Sequence, residues 1–140
     1  MRKRAIRSIA FVIVIVLLLS TAVFATMDAS QYLSYYSAYI TKSGNTVKVN
    51  FVVQGTKVMD QIGATEIYLY ERPNSYSGWT LVQTFLSTDS AYASDMIDSN
   101  ASFKDDYVSY SGNSSYQYIA YVTVYAEKNG GSDSRDIIAS

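Results

Sequence analysis

Carboxylate and hydroxyl side chains are the first candidates for chemistry in this chain of 140 residues. The sequence contains no His and no Cys, so the usual general base, the commonest zinc ligand, thiol nucleophiles and disulfides are excluded. Glycoside hydrolysis would need two carboxylates held about 5–10 Å apart. Only Glu66 and Glu71 share a predicted strand, and their odd spacing places them on opposite faces. Since no Ser-x-x-Lys sequence supplies a base for a serine nucleophile, we predict that the protein is not an enzyme.

A group of aspartates is the only candidate for a metal site. Its members are close together in the sequence, at Asp89, Asp95, Asp98, Asp105 and Asp106. Carboxylates on loops suit Ca²⁺, but a 12-residue calcium loop needs acids at positions 1, 3 and 5 followed by glycine. The spacing here does not fit that pattern. We therefore interpret the stretch as a solvated acidic crossover and predict no metal and no cofactor.

The fourteen tyrosines provide the strongest indication of a binding surface. If the aliphatic residues of segments 65–71 and 116–127 face the core, alternate side chains must face outward. The side chains expected outward are Tyr68, Tyr70, Ile119, Tyr121 and Tyr125. In the sandwich described below these strands are neighbours, so the five would form a platform. Tyrosine suits protein contact and sugar stacking because it combines a flat apolar ring with a polar tip, but it is also simply a good strand former. A second group, Tyr32, Tyr35, Tyr36 and Tyr39, occupies both faces of the first strand.

Alternation with a period of two predicts the elements that position these side chains. Seven strands are expected, at 32–41, 47–53, 65–71, 79–86, 107–110, 116–127 and 132–139. Residues 55–63 are predicted to be a loop or short turn, and 87–104 either a helical turn over 89–97 or an irregular crossover. The predicted core is Val47, Val49, Phe51, Val53, Ile67, Leu69, Leu81, Phe85, Tyr118, Ala120, Val122 and Val124, with Trp79 capping one end.

Two parts of the chain resemble an immunoglobulin-like sandwich of the fibronectin type III kind. Residues 67–79 are similar to the C–C′ hairpin of such domains, in which a Trp opens the second strand, and residues 112–134 are similar to their F–G region. The resemblance implies an all-β, seven-stranded antiparallel immunoglobulin-like sandwich. It also implies a tyrosine corner, in which the hydroxyl of Tyr118 or Tyr116 bonds to backbone. Phe51 stands where these domains carry a core Trp.

The full layout also resembles a group of small exported single-domain proteins of gut Clostridia. The features that carry this resemblance are residues 62–67, Trp79, Met96 and Asn100 in the crossover, and Gly-Gly-Ser-Asp-Ser-Arg at 130–135. These features are structural, so the resemblance implies export and fold but no particular chemistry.

The N-terminal 25 residues have the pattern of a signal peptide. A basic stretch over 2–7 precedes an apolar run from Ile9 to Leu19, and Val23 and Ala25 are small residues suited to cleavage after Ala25. The alternative is a retained membrane anchor, because about 17 apolar residues are the lower limit for a span. Residues 26–140 hold seven basic and twelve acidic residues, a net charge of −5, which argues against a nucleic-acid partner.

We therefore expect a signal-peptide helix over 1–25 and one β-sandwich domain over 26–140, secreted after cleavage. The functional hypothesis is a non-catalytic module that contacts another protein or the cell envelope through the outward tyrosines. The alternative is a small carbohydrate-binding domain that uses the same face. A membrane contact is expected only if the N-terminal segment is retained.

Overall fold

The computed structural model describes residues 30–140, so the predicted signal peptide lies outside the described residues. In chain order the elements are β1 (Leu33–Ser43), β2 (Thr46–Arg72), β3 (Thr80–Leu86), α1 (Ala93–Met96), β4 (Ile97–Ser111), β5 (Gln117–Lys128) and β6 (Gly131–Ala139). All strand pairs are antiparallel, and the described part of the chain is therefore all-β. None of its helices has the length and apolar character needed to cross a membrane.

Strand β2, which is 27 residues long, organises the sheet because each of its edges pairs with two other strands. Its first half pairs with β1 on one edge and with β4 on the other. Its second half pairs with β5 and β3, and β6 continues the sheet beyond β5. The neighbour order is thus β1–β2–β4 around the first half and β3–β2–β5–β6 around the second half.

Irregularities in the middle of β2 allow the sheet to curl. The pairing with β4 jumps between Gln54 and Met59, and the pairing with β5 shifts at Thr65; such bulges bend a strand and increase its twist. Gly63 lies between them with φ +149°, and a Cβ there would overlap the Met96 carbonyl. Only glycine therefore lets β4 approach β2 at this bend.

Buried side chains from both halves of the curled sheet form one core. Period-two alternation places Val47, Val49, Phe51 and Val53 on its inner side from the first half of β2, as predicted. The second half of β2 and β3 and β5 supply the others that were predicted, namely Ile67, Leu69, Phe85, Tyr118, Ala120, Val122 and Val124. Met59, Ile62 and Met96, which alternation alone did not assign to the core, are buried with them.

The structure corrects three of the predicted elements. Six strands are present in residues 30–140 rather than seven, because 55–63 is bulged strand rather than loop and joins two predicted strands into β2. The strand predicted at 107–110 is the end of the longer β4. Residues 87–104, for which either a helical turn over 89–97 or an irregular crossover was expected, instead contain the four-residue α1 and the first part of β4.

Leu81 is a further correction, because its side chain is exposed rather than buried. The register between β2 and β3 shifts so that Gln83 lies opposite Leu69 while Leu81 lies opposite Tyr70. The extra residue, Val82, packs against the core in its place. A bulge of one residue reverses the facing of everything beyond it, and this is why simple alternation failed here.

Candidate functional site

The outward face of β3, the second half of β2, β5 and β6 carries the predicted tyrosine platform, and we call it the tyrosine face. Directly opposed residues in antiparallel strands share a face, so the register defines its rows. One row is Thr84, Tyr68, Tyr121 and Ile138, and the next is Leu81, Tyr70 and Ile119. Four of the five predicted side chains are therefore immediate neighbours. Tyr125 is on the same face but lies opposite Gly63, four residues along β5 from Tyr121.

The aromatic rings at the centre of the tyrosine face pack edge to face. The ring centroids of Tyr70 and Tyr121 are 5.6 Å apart, and the ring planes are inclined at 78°. This is a favoured geometry for aromatic pairs because the positive edge of one ring meets the negative face of the other. The pair fixes both side chains, and Tyr121 still exposes 44% of its surface.

Two tyrosine hydroxyls on this face have carboxylate partners two residues away. Tyr68 donates to Glu66 Oε2 at 3.0 Å, and Tyr125 donates to Glu127 Oε2 at 2.6 Å. In each case the hydrogen bond to the carboxylate, which favours the neutral phenol, raises the pKa of the tyrosine. These hydroxyls are therefore held as donors and fix the orientation of their rings.

Three side chains outside the predicted set, those of Leu81, Ile138 and Arg72, extend the tyrosine face. Leu81 is 47% exposed beside Tyr70, and Ile138 is 64% exposed beside Tyr121. At the far end the guanidinium of Arg72 lies 4.3 Å from the Trp79 ring centroid. No signal in the sequence could have placed Leu81, since its position depends on the bulge, whereas Ile138 follows from alternation along β6.

The outward face of β1, the first half of β2 and β4 carries a second set of aromatic residues. Tyr39 and Tyr107 flank Asn50, and Tyr35 and Phe103 flank Gln54. All four rings are exposed, and the Lys48 ammonium lies 3.9 Å from the centroid of the Tyr107 ring. Three of the four first-strand tyrosines, Tyr35, Tyr36 and Tyr39, are exposed, and Tyr32 packs against the core.

Glu66 and Glu71, the two carboxylates considered for hydrolysis, do not converge. Glu66 and Glu71 lie on opposite faces of β2, as their spacing predicted. Asp98 and Asp106 instead approach the ammonium of the buried Lys104, at 3.0 and 3.1 Å. Within residues 30–140 no group of three or more acidic side chains is arranged to hold a metal ion.

An open cleft of about 460 Å³ lies between the segment after β3 and the start of β4. It is lined by Gln61, Ser87, Thr88, Ala93, Ser94 and Ile97. All six side chains are neutral, and none of them is acidic or basic.

The three residues expected to support the site have different roles. Phe51 is fully buried in the core. Trp79 is 36% exposed and contacts Arg72 at the edge of the tyrosine face, so it does not close off one end of the core. The hydroxyl of Tyr118 accepts a hydrogen bond from Asn113 N–H at 2.7 Å and donates to the Asn113 carbonyl at 3.1 Å. This bond to upstream backbone has the form of a tyrosine corner.

Comparison with protein-family models, with curated proteins and with solved structures gives no match for this chain. The tyrosine face is accordingly the feature from which a function can be inferred.

Proposed function

We propose that the protein is an exported, non-catalytic interaction module that contacts another protein or the cell envelope through the tyrosine face. The observation that carries this proposal is the contiguity of its apolar side chains. Two adjacent rows hold three tyrosines, Leu81, Ile119 and Ile138, on strands fixed by backbone pairing. A contiguous exposed apolar patch on a rigid scaffold is typical of an interaction site.

The composition of the face favours a protein partner over a glycan. Sugars stack on aromatic rings that lie flat and accessible, whereas the inclined pair of Tyr70 and Tyr121 presents one ring by its edge. Exposed aliphatic side chains such as Ile138 offer a sugar no hydrogen bond but suit the centre of a protein interface. Carbohydrate binding by the same face is the second candidate, because tyrosine rings remain exposed there.

The export part of the proposal rests on the sequence of residues 1–25, and the fold part on strand order. In an immunoglobulin-like sandwich, strands A, B and E share one sheet while C, F and G share the other. The order β1–β2–β4 and β3–β2–β5–β6 supports that arrangement, with β2 supplying both B and C. Recovery of the protein from culture medium with Thr26 as its first residue would support export, and a full-length membrane-bound species would overturn it.

Site-specific photo-crosslinking tests the contact surface. A benzophenone amino acid replaces Tyr121 in one variant and Tyr107 in another, because both side chains are similarly exposed, at 44% and 43%, on opposite halves of the curled sheet. We expect protein adducts from position 121 and few from position 107, in the producing cells and their medium. Equal adducts from both positions, or none from either, would contradict the proposal.

A glycan array distinguishes the second candidate. Retention of the unmodified protein on a defined polysaccharide, lost in the double variant Tyr68→Ala/Tyr121→Ala and kept in Tyr39→Ala/Tyr107→Ala, would favour carbohydrate binding. Both variants change exposed or half-exposed tyrosines, so far-ultraviolet circular dichroism can confirm that each is folded.

A further inference from the structure

Charge is distributed unevenly along the tyrosine face. The outward side chains of the second half of β2 are, in order, Glu66, Tyr68, Tyr70 and Arg72. An acid and a base therefore lie at opposite ends of an aromatic centre. Asp136 adds a second carboxylate at the acidic end, in the row of Glu66. Within residues 30–140 neither Glu66 nor Arg72 forms an ion pair.

Both charged groups are held in place by their neighbours. Glu66 accepts the hydrogen bond from Tyr68 through Oε2. Arg72 stacks on Trp79 and donates through Nε to Gln117 Oε1 at 2.7 Å. Six residues of extended strand separate the two charges, a distance of about 20 Å. The face thus presents two fixed, opposite and unpaired charges.

The tyrosine face is therefore complementary to a second copy of itself that is turned end for end. Consider a two-fold axis that lies in the plane of the face, runs across the strands and passes between the rows of Tyr68 and Tyr70. It places a second copy face to face with the first, with its β2 antiparallel. Arg72 of each copy then lies over Glu66 of the other, because both belong to one strand and are equally distant from the axis. Sheets pack face to face about 10 Å apart, which two long side chains can span.

We propose that the partner of the tyrosine face is a second copy of this chain, in a two-fold dimer oriented by two symmetric Arg72–Glu66 pairs around the aromatic centre. The inference rests on the proposed function, since it names the protein that this face contacts. Self-complementary contacts of this kind are the commonest route to oligomers. Charges at the rim of an interface fix its register and exclude the parallel arrangement, in which like charges would meet.

The small area of the tyrosine face favours a weak dimer. Four strands of about 4.8 Å and a length of about 20 Å give on the order of 400 Å² per copy. The two copies together would bury about 800 Å², which is below the roughly 1,200–2,000 Å² of stable complexes and within the range of weak, transient contacts. The dissociation constant is therefore expected in the micromolar range or weaker, so association must be followed from about 1 µM to 1 mM.

Charge reversal tested by sedimentation velocity separates this arrangement from any other. We expect Arg72→Glu and Glu66→Arg each to weaken dimerisation by about tenfold or more, because each places like charges in contact. An equimolar mixture of the two variants should dimerise again. In the mixed dimer, the glutamate introduced in one copy lies over the arginine introduced in the other. The second contact of this dimer is a native Arg72–Glu66 pair. The matched control is Lys57→Glu, which changes an exposed charge away from the tyrosine face and should leave association unchanged.

A second variant covers the case in which Arg72→Glu disturbs the packing on Trp79. Glu66→Gln removes the charge from an exposed side chain with little change of shape, so it should weaken the dimer while the urea midpoint stays constant. A mixture that fails to recover, or a protein that remains monomeric throughout the concentration range, would overturn the proposal. In the monomeric case, adducts between position 121 and a different protein would preserve the proposed function, and an absence of adducts would refute both.

Discussion

Lys104 is the charged side chain that the fold buries among residues 30–140. It lies opposite Val53 on the inner side of β4, and its ammonium donates to the Ser94 carbonyl at 2.9 Å as well as to the two aspartates. Burial disfavours the charged ammonium and so lowers the pKa of Lys104. The hydrogen bonds with Asp98 and Asp106 raise this pKa by a larger amount, so the net pKa is above its ordinary value. Within residues 30–140 β4 pairs only with β2. A charge that points inward from an edge strand disfavours the addition of another strand.

Replacing Lys104 by Met therefore tests whether this charge keeps another strand from adding to the edge of β4, in addition to its effect on stability. Asp98 and Asp106 are partly exposed, so removal of the ammonium leaves no fully buried charge. We expect the free energy of unfolding to change by no more than about 1 kcal/mol, because well-packed apolar groups often replace buried ion pairs at little cost. Aggregation of the folded protein on prolonged incubation should increase, as followed by light scattering. Equal aggregation of Lys104→Met and the unmodified protein would contradict the protective role.

Tyr118 carries a second prediction at the residue scale. Its hydroxyl makes both hydrogen bonds to Asn113, and a Cβ at Gly112 would overlap this hydroxyl. Tyr118→Phe removes both bonds and leaves the Asn113 N–H without its partner, while the Asn113 carbonyl still accepts from Tyr116 N–H at 3.1 Å. We therefore expect a loss of about 1 kcal/mol in the free energy of unfolding. Tyr116→Phe is the matched control, since no hydrogen bond of its hydroxyl is present in the described structure. Urea denaturation measures both, and equal losses would exclude the corner.

At the scale of elements, the sequence predicted what depends on local alternation and missed what depends on register. The facing of residues 65–71 and 116–127 was correct because each segment has an unbroken period of two. The middle of β2 contains the turn-forming residues Gly55, Asp60 and Gly63, which favour a loop or short turn, yet glycine also marks bulges. A bulge depends on which partner strand lies opposite, and this information is absent from the segment itself. The same limit explains why alternation predicts a buried Leu81, although this side chain is exposed beside Tyr70 and extends the tyrosine face.

The bulge in β3 gives opposite expectations for two neighbouring side chains. Val82 packs against the core, while Leu81 is exposed beside Tyr70. Val82→Ser should therefore lower the free energy of unfolding by about 1–2 kcal/mol through lost apolar burial, and Leu81→Ser should change it by less than about 0.5 kcal/mol. Urea denaturation of the two variants checks this order. The reverse order would mean that strict alternation continues through β3 and that Leu81 belongs to the core.

At the scale of the whole molecule, the absence of His removes the side chain that ordinarily titrates near neutral pH. Titration that affects stability is then confined to acidic and alkaline conditions. On the acidic side, Asp60 accepts hydrogen bonds from the Lys128 ammonium and from Asn129 N–H, both at 2.7 Å. These bonds lower the pKa of Asp60. On the alkaline side, the pKa values of Lys104 and Tyr118 are both raised.

The directions of these shifts determine the pH profile of the free energy of unfolding. A lowered carboxyl pKa contributes stability that is present above about pH 3.9, the unfolded value, and is lost as pH falls through the folded pKa. A raised lysine or tyrosine pKa contributes stability that is present below about pH 10, and is lost as pH rises through the folded pKa. We therefore expect a plateau from about pH 5 to 9 with a decline on either side. Urea denaturation across this range measures the profile, and Lys104→Met should decline less steeply above pH 10 because it has no ammonium to lose. A slope through neutral pH would show that a group other than these controls stability.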